Sequence, residues 1–112
     1  MPANNVSIMS INNADKKRFR QIGHDLKPIV TIAQKGLTEN ILLEVKRALN
    51  DHELIKIKVV GADRDQKKEL VDVLCTEMNA ECVQTVGHVI LLYKAAKKPD
   101  PRLSNLLRAQ QK

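Results

Sequence analysis

Two short runs rich in β-branched residues, Ile29-Val30-Thr31-Ile32 and the stretch from Glu53 to Gly61, are separated by residues with a different period. Between them Ile41, Val45, Ala48 and Leu49 recur at helical spacing behind Thr38, a helix-capping residue type. Two strands joined through a helix cannot pair by a tight turn. They need a crossover, which runs right-handed and makes the strands parallel. That constraint places the chain among α/β folds before any other residue is read.

The flanking segments extend the pattern. Asn12 or Asn13 can cap a first helix with the apolar stripe Phe19, Ile22, Gly23 and Leu26, ended by Pro28. Asp63 and Gln66 have capping-box spacing and open a third helix with the stripe Leu70, Val71, Leu74, Cys75 and Met78. Val83–Val86 and Val89–Tyr93 flank Gly87-His88, the length of a two-residue hairpin turn. The predicted order is α-β-α-β-α-β-β. It describes a two-layer α/β sandwich with a four-stranded mixed sheet and three helices. In the second strand Lys56 and Lys58 share the face opposite Ile55, Ile57 and Val59.

At 112 residues the chain suits one domain with short tails. The reading gives a polar, disordered arm over 1–12, a domain over 13–95, and a basic tail over 96–112. In the tail, Asp100-Pro101 is a helix-start pair ahead of Leu103, Leu106 and Leu107. The start of the chain lacks a signal-peptide pattern, and no apolar run approaches the ~20 residues of a membrane helix. The expectation is a cytoplasmic, monomeric protein with no membrane partner, in which Cys75 and Cys82 are reduced core thiols.

The net charge is +6, and it is unevenly spread. Residues 15–35 carry six basic and two acidic groups, residues 36–93 seven and ten, and residues 94–112 six and one. Two basic ends around an acidic middle point toward a polyanion, although a solubilising surface charge is the plainer alternative. Lys16, Lys17 and Arg20 fall off the apolar stripe of the first helix. The loop Ala33-Gln34-Lys35-Gly36 precedes a helix N-terminus near Thr38, where free N–H groups suit a phosphate. An ordinary strand-to-helix turn with a left-handed Gly36 explains the same residues. His24 can meet RNA or cap its helix, and Lys27 is a surface charge open to phosphate.

Only Phe19 and Tyr93 are aromatic, so base stacking on a sheet of exposed rings is excluded. The spacing shows no nucleophile elbow, Cys–His pair, phosphate-binding glycine motif or metal-ligand set, so no catalysis, cofactor or metal is expected.

The run His24-x-Leu26-Lys27-Pro28, then Ile32, Ala33 and Gly36-Leu37-Thr38-Glu39, resembles the CRM (chloroplast RNA splicing and ribosome maturation) domain. His52-Glu53-Leu54-Ile55-Lys56-Ile57-Lys58, and Gly87 followed by Leu92-Tyr93-Lys94, match it in order across roughly residues 10–95. The single-domain bacterial members are called YhbY. The resemblance implies a fold similar to the C-terminal domain of a bacterial translation initiation factor. It also implies RNA binding, with ribosomal RNA in precursors of the large subunit as partner. The family's GxxG loop falls on Ala33–Gly36, where Ala33 replaces the first glycine, and Gly23 stands where alanine is frequent.

The leading expectation is therefore an RNA-binding factor in large-subunit assembly. Lys16, Lys17, Arg20, His24, Lys27, Gln34, Lys35, Gly36 and Thr38 are its candidate contacts, with strong salt dependence if ~6 phosphates are neutralised. The alternative is a protein-interaction module docking an acidic partner on ribosomal particles through the Leu103, Leu106, Leu107 stripe. A small hydrolase or nuclease is a third, weaker reading.

Overall fold

The computed structural model describes residues 12–33 and 36–110. The expected arm over 1–12, apart from Asn12, and the loop residues Gln34 and Lys35 lie outside them. The elements run α1 (Asn13–His24), β1 (Pro28–Ile32), α2 (Glu39–His52), β2 (Leu54–Val59), α3 (Arg64–Met78), β3 (Glu81–Val86), β4 (Val89–Tyr93) and α4 (Asn105–Gln110).

Local chemistry explains most boundaries. The Asn12 side chain accepts from Asp15 N–H at 2.7 Å and starts α1. The Thr38 hydroxyl accepts from Ile41 N–H at 3.2 Å and starts α2. Asp63 and Gln66 cap α3 reciprocally, at 2.8 and 3.0 Å. Asn79, left-handed at φ 53°, ends α3.

The sheet order is β1-β2-β4-β3. β1 and β2 are parallel, as the crossover argument requires, and β4 is antiparallel to both β2 and β3. The hairpin partner β4 thus inserts between β2 and β3, which makes the sheet mixed. The expected mixed four-stranded α/β architecture is present.

Helices lie on both faces of this sheet. On the first face α2 and α3 bury Val45, Ala48, Leu49, Leu74 and Met78 against Val30, Ile32, Ile55, Ile57, Val59, Ile90 and Leu92. Ile57 is fully buried, and truncating such a side chain to alanine costs about 2–5 kcal/mol. On the second face α1 and α4 cover one end only, with Phe19 and Leu106 packed on Leu54, Val83 and Leu91.

The tail corrects one boundary. Asp100-Pro101 opens a single turn, with Asp100 O accepting from Leu103 and Ser104 N–H at 3.0 and 2.8 Å. The helix starts four residues later, where the Ser104 hydroxyl accepts from Leu107 N–H at 3.4 Å. Asp100 satisfies the turn with its own side chain as well, through Arg102 N–H at 2.9 Å.

Glu53 holds this tail in place. Its carboxylate is buried and accepts from the Ser104 hydroxyl at 2.6 Å and from Ala96 N–H at 2.9 Å. Its neighbours add two further bonds. Asn105 donates to Leu54 O at 2.6 Å, and His52 Nδ1 lies 2.8 Å from Leu103 O. Two hydrogen bonds to the same carboxylate offset the cost of burying its charge.

Candidate nucleic-acid interface

The open end of the second sheet face carries a groove of about 740 Å³ between α1 and β4–β3. Lys17, Arg20 and His24 form its wall, because spacings of three and four put them on one side of α1. Gln84, Val86, Val89 and Leu91 form the floor, and Lys56 enters from β2. No carboxylate lines the groove among the described residues. The cations of Lys17, Arg20 and Lys56, facing a semi-enclosed space beside His24, give a positive potential suited to a phosphate chain.

Two residues set the groove's shape. Gly23 is buried against β4, and a Cβ there would come 2.7 and 2.8 Å from the terminal carbons of Leu91. Glycine therefore lets α1 approach the sheet closely. Lys56 donates to Leu26 O at 3.1 Å, just past the end of α1, and ties the helix end to β2.

The loop after β1 forms a second depression. Gly36 N–H donates to Ala33 O at 2.8 Å, which closes a tight turn. Gly36 is left-handed at φ 71° with open space where a Cβ would stand. A cleft of about 580 Å³ beside it is lined by Thr31, Ala33, Gly36, Thr38, Ile41, Val60 and Gly61. The N-terminus of α2 opens here, but Glu39 stands in its first turn and already interacts with the positive dipole end. The Glu39 charge offsets part of the field that this helix end would offer an anion.

The candidate residues divide between these places. Lys17, Arg20 and His24 line the groove, and Gly36 and Thr38 line the cleft. Lys16 is half-buried on α1, Lys27 is exposed before β1, and neither lines a depression. Lys56 and Gln84 in the groove are additions to the candidate set. The alternation of β2 already placed Lys56 opposite the core, but its proximity to α1 depends on the sheet order.

Both aromatic rings are used elsewhere. Phe19 and Tyr93 stack at 4.7 Å between centroids, tilted by 38°, and the Arg18 guanidinium lies 5.0 Å over Phe19. Burial, then the charge of Glu53, raises the Tyr93 phenol above its ordinary range. Both cysteines are free thiols, and burial pushes Cys75 up to about 11. Among the described residues no three of His, Cys, Asp and Glu gather to hold a metal ion, and no helix is long and apolar enough to cross a membrane.

The model of the CRS1/YhbY (CRM) domain matches residues 11–94. The chain belongs to this family. A probable RNA-binding protein of Pseudomonas aeruginosa is 46% identical over 100 residues, covering 89% of this chain and 96% of its own. An RNA-binding protein of Haemophilus influenzae is 39% identical, covering 80% and 90%. The solution structure of a hypothetical protein from Staphylococcus aureus superposes with a TM-score of 0.70 at 31% identity, over 80% of this chain and 93% of that one. Both relatives are RNA-binding proteins by name.

Within the CRM domain, the two departures now have physical readings. Ala33 needs no glycine, because Glu53 and Asn79 are the only non-glycine residues of positive φ among those described. Gly23 is a packing residue against Leu91. The latch from Glu53 to Ser104 joins the CRM domain to a tail that lies beyond the matched span.

Proposed function

We propose that this CRM domain binds RNA through its phosphate backbone, and that the RNA is ribosomal, in precursors of the large subunit. The observation that carries the first part is the groove of Lys17, Arg20, His24 and Lys56 without a carboxylate. The family's RNA-binding relatives support it. The ribosomal assignment rests on resemblance to the YhbY members. The protein acts as a cytoplasmic binding module rather than a catalyst, and the positive charge of Lys27, Lys35 and the basic tail adds non-specific attraction.

The competing protein-docking reading loses its anchor. Leu106 is buried in the chain's own core and Leu107 is half-buried, which leaves Leu103 as the exposed member of the leucine stripe.

Fluorescence anisotropy with labelled large-subunit RNA fragments tests the backbone reading. Neutralising ~6 phosphates predicts an affinity loss of about 10³-fold between 50 and 200 mM salt. Affinity flat across that range contradicts it. Crosslinking in cells tests the ribosomal assignment. Reads concentrated in large-subunit precursor RNA support it, and reads spread evenly over messenger RNAs overturn it.

A further inference from the structure

Lys58 stands between the groove and the cleft. It is exposed on the second face of β2, two residues from Lys56 and two from Val60. Its cross-strand neighbours are Thr31 on β1 and Val89 on β4. Thr31 lines the cleft and Val89 lines the groove. Val86, paired with Val89, completes a row across all four strands and is 59% exposed. At ~4.8 Å between strands this row spans about 14 Å. The two depressions are therefore ends of one path, with Lys58 at its middle.

The ends differ in chemistry. The groove is basic, whereas the cleft is apolar at Ala33, Ile41 and Val60, with hydroxyls at Thr31 and Thr38. A duplex keeps its base faces stacked inside and shows only base edges, sugars and phosphates, so it offers an apolar cleft beside a phosphate track no base face to cover. A single strand presents phosphates on one side and unstacked bases on the other.

We propose that the CRM domain takes a single RNA strand across the open sheet face. Its backbone runs from the groove over Lys58, and one unstacked nucleotide sits in the cleft over Val60 and Ile41. This rests on the reading of the groove as an RNA site and adds the strandedness, the path and Lys58 as a phosphate contact. With no exposed ring available, the base lies on aliphatic carbon and binding tolerates sequence changes.

The test uses the full chain and labelled RNA oligonucleotides of ~10 nucleotides, single-stranded or annealed to their complement. Lys58→Gln and Val60→Glu are compared with Lys17→Ala/Arg20→Ala. Lys58 and Val60 are surface positions, and thermal melts check that both variants fold. Single strands should bind at least tenfold tighter than duplex. Lys58→Gln should weaken single-strand binding about five-fold and lower the log–log salt slope by ~0.7, with Val60→Glu at least as damaging. If duplex binds as tightly, or both folded variants bind as wild type while Lys17→Ala/Arg20→Ala weakens binding, the path is overturned and the groove stands. If Lys17→Ala/Arg20→Ala also binds as wild type, the groove reading fails with it.

Discussion

The two ends of the second sheet face are built in opposite ways. At one end Leu54, Val83 and Tyr93 are closed over by α1 and the docked tail, and Glu53 puts a buried negative charge to structural use. At the other end Lys56, Lys58 and Val89 lie under no helix but the edge of α1, and every charged groove side chain is basic. The same strands run through both ends, so the difference comes from what covers them. Gly23 belongs to both ends, since it brings α1 down onto Leu91 between the closed core and the groove. A carboxylate with its acceptor sites filled stabilises the fold, while cations facing open space attract a polyanion.

This contrast is most sharply broken at Glu53. Glu53→Ala leaves the Ser104 hydroxyl and Ala96 N–H without their acceptor. It should cost about 2–4 kcal/mol in urea unfolding, while the folded variant keeps RNA affinity within about two-fold. A large affinity loss at intact stability would mean that the closed end is itself part of the RNA site.

At the open end the expected effects are reversed. Lys17→Ala/Arg20→Ala should weaken single-strand binding by roughly tenfold at low salt and lower the salt slope by ~1.4. Its urea stability should stay within about 0.5 kcal/mol of wild type. Gly36→Ala comes next. Its φ of 71° should cost about 1 kcal/mol in stability, although the space around it is open. RNA affinity should fall less than in the groove variant, because Glu39 already stands at that helix end.

The smallest effect concerns Cys75 on the fully covered first face. With the folded pKa at about 11 against an ordinary 9.0, the folded state holds the proton more tightly than the unfolded one. Its contribution to stability is present below pH 9 and is lost as pH rises toward about 11. Thiol-reagent kinetics at pH 8 should show Cys75 reacting far more slowly folded than in urea.

Much of the fold was legible because it is written locally. Strand alternation, helical stripes and the caps at Asn12, Thr38 and Asp63 are short-range signals, and each is formed. What was not legible depends on the order of strands. Lys56 and Lys58 could be placed off the core, but only the insertion of β4 beside β2 shows that Lys56 lines a groove under α1. The tail was hidden for a related reason. Its docking depends on Glu53 and Ser104, which are 51 residues apart, and a charged residue before a strand reads as surface until its partners are seen. Gly23 falls on the apolar stripe of α1, but its close packing against Leu91 has no local signature.

If RNA is held electrostatically at the open end of this face, its affinity depends on the cations there. The most direct measurement is the log–log salt slope for a single-stranded RNA, taken for wild type and for Lys17→Ala/Arg20→Ala/Lys58→Gln. A steep wild-type slope should fall by ~2 in the triple variant, with its melting temperature unchanged. Equal slopes for two equally folded proteins would contradict it.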